Sequence, residues 1–179
     1  LGAALMSLAM TGLGGWTTNT EIPGWGLFCI QIPLWGAMIA VPVLATRRSG
    51  RGPVIELGLR VRWIDVPMGI VAGVAAQMLV IPLLYWPLGR WITDDDLNAP
   101  ARDLAEQFSG FGGKVLLVLM VCVFAPFAEE LLYRGLLLRS VARQAPMAVA
   151  VIVSAVVFGA MHLQAIQTLG LVVFGLIAG

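Results

Sequence analysis

Two glutamates and a histidine are the residues of this chain whose types and setting could do chemistry. Glu129 and Glu130 are adjacent, Arg134 follows one helical turn later, and all three come after a long apolar run. His162, the only histidine, lies in a second apolar run at residues 147–163. Carboxylates and an imidazole are the usual parts of general acid–base or metal chemistry. Because a charge at the centre of a bilayer costs about 3 kcal/mol on insertion scales, such residues usually serve a function. The pattern predicts an enzyme whose active site lies inside a membrane.

The composition supports a membrane protein. Hydrophobic residues make up 59% of the 179 residues, charged residues make up 12%, and the mean hydropathy is +0.91. A soluble domain has about a quarter of its residues charged. Both cysteines lie in apolar runs, so no disulfide framework is indicated. The net charge of +1 does not indicate a nucleic-acid partner.

The apolar runs predict an all-α, polytopic membrane bundle with five to six transmembrane segments, since several runs approach the roughly 20 residues that cross a bilayer. The clearest segments are residues 25–45, 66–89, 115–138, 147–163 and a last one that begins at residue 169. Residues 1–13 could be the tail of an earlier span or a signal-like segment. Four prolines fall inside the runs, where kinks are expected rather than breaks: Pro33, Pro42, Pro82 and Pro126.

The connecting segments predict the orientation of the chain. The segment after the first long run is rich in arginine: Arg47, Arg48, Arg51, Arg60 and Arg62. Residues 90–114 carry more acidic than basic side chains, and Arg139 and Arg143 precede a turn at Ala145 and Pro146. By the positive-inside rule, the arginine-rich segment and the turn are cytoplasmic and the acidic segment is outside.

Helical spacing separates the two glutamates. Glu130 and Arg134 are four residues apart with the acid first, which is the better orientation for an ion pair on a helix. Glu129 is five residues from Arg134 and is expected to point elsewhere, as a free carboxylate that could act as a general base. The alternative is that both acids only satisfy arginines in a helical hairpin.

His162 has a structural alternative as well, since a buried histidine often bonds a backbone carbonyl. Its spacing favours a site. Glu129 lies sixteen residues before Ala145, and His162 lies sixteen residues after Pro146. In an antiparallel hairpin these positions have equal height, and helices about 8–10 Å apart could direct both side chains at one place. Phe158, one turn before His162, would be an apolar wall of the site or simple core packing.

Two motifs carry a resemblance to a known family. Residues 128–141 read AEELLYRGLLLRSV and residues 158–162 read FGAMH. They resemble the Glu-Glu-x-x-x-Arg and Phe-x-x-x-His motifs of the CAAX prenyl protease and bacteriocin-processing family (CPBP, or Abi), whose members are intramembrane endopeptidases. Residues 57–69 are similar to a common lead-in of this family. The resemblance covers residues 56–179 as a protease-like domain and leaves residues 1–55 as membrane spans and a basic loop.

The resemblance implies roles for the site residues. Glu129 would activate water with the help of His162, and Glu130 and Arg134 would organise the site. A second histidine, followed four positions later by asparagine, comes from a later helix in this family. Since the chain has one histidine and its last apolar run has only eleven residues, we expect residues 1–179 to be part of a longer polypeptide. On its own this part should insert into membranes without cleaving. Two glutamates and a histidine could contribute to a zinc site, but metal dependence in the family is open, and no metal or cofactor is assigned.

Within this interpretation the partners are the lipid bilayer and a protein or peptide substrate, and the location is the cell membrane of a bacterium, crossed several times. Arginine far outnumbers lysine and small residues are abundant, which favours a bacterial source. Peptide maturation, bacteriocin self-immunity and trimming of membrane proteins all stay open. The alternative from another class is a non-proteolytic scaffold, transporter-like module or immunity protein that uses the same residues as a structural network.

Overall fold

The computed structural model describes residues 22–47, 52–59 and 62–179, and every regular element in them is a helix, as predicted. Seven helices fill these ranges: α1 (Gly24–Arg47), α2 (Pro53–Glu56), α3 (Asp65–Leu88), α4 (Asp94–Glu106), α5 (Gly110–Ala142), α6 (Met147–Met161) and α7 (Ala165–Ala178). The interpretation of residues 1–13 and three of the five loop arginines (Arg48, Arg51 and Arg60) fall outside the described residues.

Three of the helices are long and apolar enough to cross a membrane, namely α1, α3 and α5. Helices α6 and α7 are apolar but shorter, with 15 and 14 residues. At 1.5 Å per residue each is about 22 Å long, less than the roughly 30 Å of a hydrocarbon core. The five helices correspond to the five clearest predicted segments, and the chain is a multi-pass membrane protein.

The long helices continue through their prolines. Helix α3 widens to a π-helix over Ala76–Val80 just before Pro82, and α5 does the same over Met120–Phe124 before Pro126. A proline lacks the N–H for the helical ladder, and its ring clashes with the preceding turn. The wider winding accommodates the ring. The two prolines of α1 lie within continuous α-helix, so the prediction that these prolines do not break the helices is confirmed.

Helices α1 and α5 pack through an aromatic cluster that fixes the position of α5. The Trp35 and Phe124 rings stack with centroids 5.7 Å apart, and Phe28 meets each of them edge-on. Met120 and Ala128 are buried in the same cluster. Because Ala128 immediately precedes Glu129, this packing holds one half of the candidate site.

Helices α6 and α7 form a tight hairpin through small residues. A Cβ on Gly159 would come within 3.0 Å of the Thr168 carbonyl oxygen, and one on Gly175 within 2.9 Å of the Ala155 Cα. Such close approach of two backbones is typical of helix pairs in membranes. The hairpin places the C-terminal end of α6, where His162 lies, against the start of α7.

We expect Gly159→Ala to destabilise this hairpin, since the added methyl group must displace the backbone of α7. Overpacking of this kind costs about 1–3 kcal/mol. The matched control is Gly36→Ala in α1, where an added Cβ meets nothing within 4 Å and alanine is the better helix former. Thermal unfolding in detergent should show a lower midpoint for Gly159→Ala alone. Equal midpoints for both variants would contradict the packing described.

Hydrogen bonds hold the first turn of α7 against α3 and α4. The Tyr85 hydroxyl donates to the Ile166 carbonyl oxygen (2.5 Å) and accepts from the Gly170 N–H (3.1 Å), the two backbone groups that pair with each other in an α-helix. The Gln167 side-chain amide donates to the Leu97 carbonyl of α4 at 3.3 Å. These contacts fix the segment that directly follows His162.

Helix α4 was missed in the sequence, where residues 90–114 were treated as a connecting segment. Its start is a capping box: the Asp96 N–H donates to the Thr93 hydroxyl, and the Thr93 N–H donates to the Asp96 carboxylate at 2.8 Å. Two hydrogen bonds from Thr93 lower the pKa of the exposed Asp96 carboxyl. The bond from the backbone N–H has the larger effect, and the bond from the hydroxyl has the smaller one. The signal was present, since threonine followed three residues later by an acid is a helix-start pattern.

Candidate active site

Glu129 and His162 come together between α5 and α6, as the hairpin argument predicted. The Glu129 Oε1 atom lies 3.8 Å from His162 Nε2, and each side chain is about one quarter exposed, at 26% and 28%. The distance is too long for a direct hydrogen bond. A single water could contact both atoms across such a gap.

The orientation of the His162 ring is set by a backbone bond. Its Nδ1 donates to the Phe158 carbonyl oxygen at 2.8 Å, and the two rings meet edge-on with centroids 4.8 Å apart. At the end of α6 the backbone N–H of His162 donates to the Gly159 carbonyl oxygen, three residues back. The Phe158 carbonyl oxygen therefore accepts from the ring. With its proton on Nδ1, a neutral imidazole presents the lone pair of Nε2 to Glu129. The backbone contact named as the structural alternative is thus present, and it directs Nε2 into the site.

The turn after His162 carries backbone strain. Leu163 has φ of +54°, in the left-handed region, and its side chain is exposed. A non-glycine residue in this region costs about 1–2 kcal/mol. This conformation reverses the chain within three residues and begins α7 immediately beside His162.

Arg134 forms the predicted ion pair and a cation–π contact with an aromatic ring. Its Nη1 lies 3.5 Å from Glu130 Oε2, and its Cζ lies 4.9 Å from the centre of the Phe158 ring. The Arg134 side chain is only 13% exposed, whereas that of Glu130 is 61% exposed. Tyr133 packs edge-on against the same ring at 5.2 Å. Phe158 therefore contacts both Arg134 of α5 and His162 at the end of α6.

The double-glutamate motif lies in an unusual helix. Residues Glu130–Leu138 form a π-helix that follows the α-helical turn ending at Glu129. In this winding the bonds run from i to i+5. Arg134 lies within it and pairs with Glu130, four positions before it. The prediction that Glu130 is the ion-pair partner of Arg134 is confirmed.

A polar link between α5 and α6 was missed in the sequence. The buried Ser154 hydroxyl donates to the Tyr133 carbonyl oxygen at 3.0 Å. The signal for it was available, since Ser154 is the one polar side chain between Met147 and Met161. This bond lies next to the contacts of Tyr133 and Arg134 with Phe158 and helps to fix the two helices.

We expect Glu130→Gln to lower the thermal stability, because it removes the charged partner of the nearly buried Arg134 guanidinium. Removing one partner lowers the free energy of unfolding by up to about 1 kcal/mol in an exposed pair and by about 3–5 kcal/mol in a buried pair. Because Glu130 is exposed and Arg134 is nearly buried, we expect a loss of about 1–2 kcal/mol. Thermal unfolding in detergent should show the lower midpoint. The exposed pair of Asp95 and Arg102, at 3.3 Å, gives the control: Asp95→Asn should change the midpoint less. The opposite order would contradict the assignment.

The described residues do not complete a metal site. Zinc in catalytic sites usually has three protein ligands. Within the described ranges no three His, Cys, Asp or Glu side chains come together in that way. Glu129 and His162 could supply two ligands, while the Glu130 carboxylate is paired with Arg134.

Together the fold and the site define a polytopic membrane protein with a carboxylate and an imidazole opposed between neighbouring helices. The family model described as type II CAAX prenyl endopeptidase Rce1-like matches residues 111–179. The matched part of the chain contains α6, α7, nearly all of α5 and every predicted site residue, and the match supports the resemblance that the motifs indicate. Comparison with curated proteins and with solved structures found no match.

Proposed function

We propose that this protein is an intramembrane endopeptidase that cleaves peptide bonds of a membrane-associated protein or peptide with water activated by Glu129. The observation that carries the proposal is the approach of Glu129 Oε1 to His162 Nε2 at 3.8 Å. These residues are 33 positions apart in two apolar helices, and a membrane interior rarely contains ionisable groups without a function. The match to a family of endopeptidases supports the same reaction.

The proposed reaction begins with a water held against Glu129 Oε1 and His162 Nε2. Glu129 removes a proton as the water oxygen attacks the carbonyl carbon of the substrate. The tetrahedral intermediate collapses when Glu129 returns that proton to the amide nitrogen and the C–N bond breaks. One water is consumed, a carboxyl and an amine are released, and the Glu129 carboxylate is restored.

The other residues act on this pair. In its neutral form, His162 accepts a hydrogen bond at Nε2 from the water, which orients the attacking oxygen, while the Phe158 carbonyl holds Nδ1. Glu130 and Arg134 fix Phe158, and through it the imidazole. The oxyanion of the intermediate needs hydrogen-bond donors, and the neutral His162 does not supply one, because its single N–H is held by the Phe158 carbonyl oxygen.

The protease-like domain is proposed to cover residues 56–179, with residues 1–55 as further membrane spans and a basic loop. The cell membrane of a bacterium is the proposed location. In the proposed orientation the arginine-rich segment and the α5–α6 turn are cytoplasmic, and the site opens to the cytoplasm.

Cysteine labelling tests this orientation. We expect Ser140→Cys, near the α5–α6 turn, to react with a membrane-impermeant reagent only after the cytoplasmic side is opened, and Asp95→Cys, at the start of α4, to react from outside. Because Cys29 and Cys122 are both exposed, each variant needs a background in which these are serine. Labelling of Ser140→Cys from outside alone would reverse the orientation.

The proposed function is tested by incubating the purified full-length protein in proteoliposomes with membrane-anchored reporter peptides and identifying the products by mass spectrometry. Defined cleavage products that depend on Glu129 would support it. A folded, membrane-inserted protein that cleaves none of the peptides would favour the alternative of a scaffold or immunity protein.

A further inference from the structure

A short segment before α3 docks on one side of α5 and contacts neither member of the proposed catalytic pair in the contacts described below. Residues 56–58, here called the docking segment, each contact a different position of α5 or the turn that follows it. The Glu56 carboxylate accepts a hydrogen bond from the Arg143 guanidinium. Leu57 packs against Gly135, and Gly58 packs against Arg139. Since consecutive residues of the docking segment contact positions 143, 135 and 139, these three positions form one stripe.

Two of the three residues of the docking segment are buried although the segment belongs to a connecting region. Glu56 is 7% exposed and Leu57 is 4% exposed. A Cβ on Gly135 would lie 3.3 Å from Leu57 Cδ2, and a Cβ on Gly58 would overlap the Arg139 guanidinium. Gly58 also has φ of +68°, which favours glycine. The close fit therefore depends on a glycine in each partner.

The stripe leads directly to the candidate site. Gly135 is the neighbour of Arg134, whose guanidinium lies over Phe158, and Phe158 contacts His162 through its ring and its carbonyl. Arg143 lies in the turn that joins α5 to α6, at the opposite end of the hairpin from Glu129. A displaced docking segment would shift α5 against α6.

We propose that the docking segment is a positioning element that sets the register of α5 against α6 and thereby the separation of Glu129 from His162. Its residues do not touch the proposed water or peptide, so they act through Arg134, Phe158 and the hairpin turn. The kinetic part of this inference rests on the proposed function, whereas the structural part does not.

Loss of the ion pair should change kcat more than KM. Displacement of a reacting group by about 1 Å can cost on the order of 10²-fold in rate. We expect Arg143→Ala and Glu56→Ala to lower kcat by about 10-fold to 10²-fold with KM nearly unchanged. Glu56→Gln keeps an oxygen that accepts from Arg143, and it should retain most of the wild-type kcat.

A second readout needs no proteolysis. His162 is the only histidine of the chain, so nitrogen-15 labelling of histidine gives one imidazole whose resonances report its contacts with Glu129 and Phe158. The chain in lipid nanodiscs should show shifted Nε2 and Nδ1 resonances for Arg143→Ala and Glu56→Ala, and near wild-type resonances for Glu56→Gln. The matched control is Asp95→Ala, which removes the exposed ion pair with Arg102 on α4 and should leave both resonances in place.

Arg143→Ala decides the question, since the Arg143 side chain is 61% exposed and its loss leaves the fold intact even if Glu56→Ala fails to fold. Unchanged His162 resonances in folded Arg143→Ala overturn the proposal, and so does an equal shift in Asp95→Ala. If the wild-type protein cleaves nothing, the proposed function fails, while the histidine resonances still decide whether the docking segment positions the pair.

Discussion

Glu129→Gln should abolish peptide cleavage while leaving the yield of folded protein nearly unchanged. The amide has the size of the carboxyl group but cannot take a proton from water, and removal of a general base typically costs about 10²–10⁴-fold in rate. The Glu129 carboxylate lies 3.8 Å from His162 Nε2 and forms no direct hydrogen bond with it, so its loss removes little packing. The comparison requires kcat in proteoliposomes and the folded fraction by size-exclusion chromatography.

Glu130→Gln is the matched control, because it makes the same chemical change one residue away. Glu130→Gln should lower the thermal midpoint more than Glu129→Gln does, because the Arg134 guanidinium loses its charged partner at 3.5 Å. It should lower kcat less than Glu129→Gln does. Wild-type activity in Glu129→Gln would rule out Glu129 as the base. Loss of activity only in Glu130→Gln would assign the role to Glu130.

His162→Ala should lower kcat by about 10²-fold, because the attacking water loses the group that orients it and a misplacement of about 1 Å costs that much in rate. The imidazole is held by the Phe158 carbonyl at 2.8 Å, so its position in the wild type is already fixed before a substrate arrives. KM should change much less than kcat, because the group acts on the attacking water. Steady-state kinetics in proteoliposomes measure both constants.

The control for this variant is Thr168→Val in the first turn of α7. It removes the hydrogen bond from the Thr168 hydroxyl to the Gln164 carbonyl oxygen, at 2.8 Å, close to the same turn but outside the pair. Near wild-type kcat is expected for it. If Thr168→Val and His162→Ala lose activity equally, the turn is sensitive to any change and His162 has no special role.

The membrane helices could be predicted closely from the sequence because charged and polar residues bound each apolar run. Residues 25–45 became Gly24–Arg47, and residues 66–89 became Asp65–Leu88. The start of α5 was placed at Val115, five residues too late, because Gly110 and its neighbours carry no periodic signal. Helix α4 has a strong start signal at Thr93, but its low hydropathy hid it among the connecting segments.

The meeting of Glu129 with His162 and of Glu130 with Arg134 could also be predicted, since both follow from helical spacing around one short turn. The π-helix over Glu130–Leu138 could not, because no local sequence pattern distinguishes its winding from that of an α-helix. The contact of Glu56 with Arg143 could not be predicted from the sequence either. It joins residues 87 positions apart, and no local pattern brings such residues together.

The central claim is that Glu129 activates water to hydrolyse a peptide bond, and one measurement tests it most directly. The full-length wild-type protein and its Glu129→Gln variant, both folded in proteoliposomes, are incubated with a membrane-anchored reporter peptide in oxygen-18 water, and the products are analysed by mass spectrometry. The account predicts that the wild type releases two fragments, with oxygen-18 in the newly formed carboxyl group, and that Glu129→Gln releases none. Equal release by both proteins, or no release by the wild type, would contradict it.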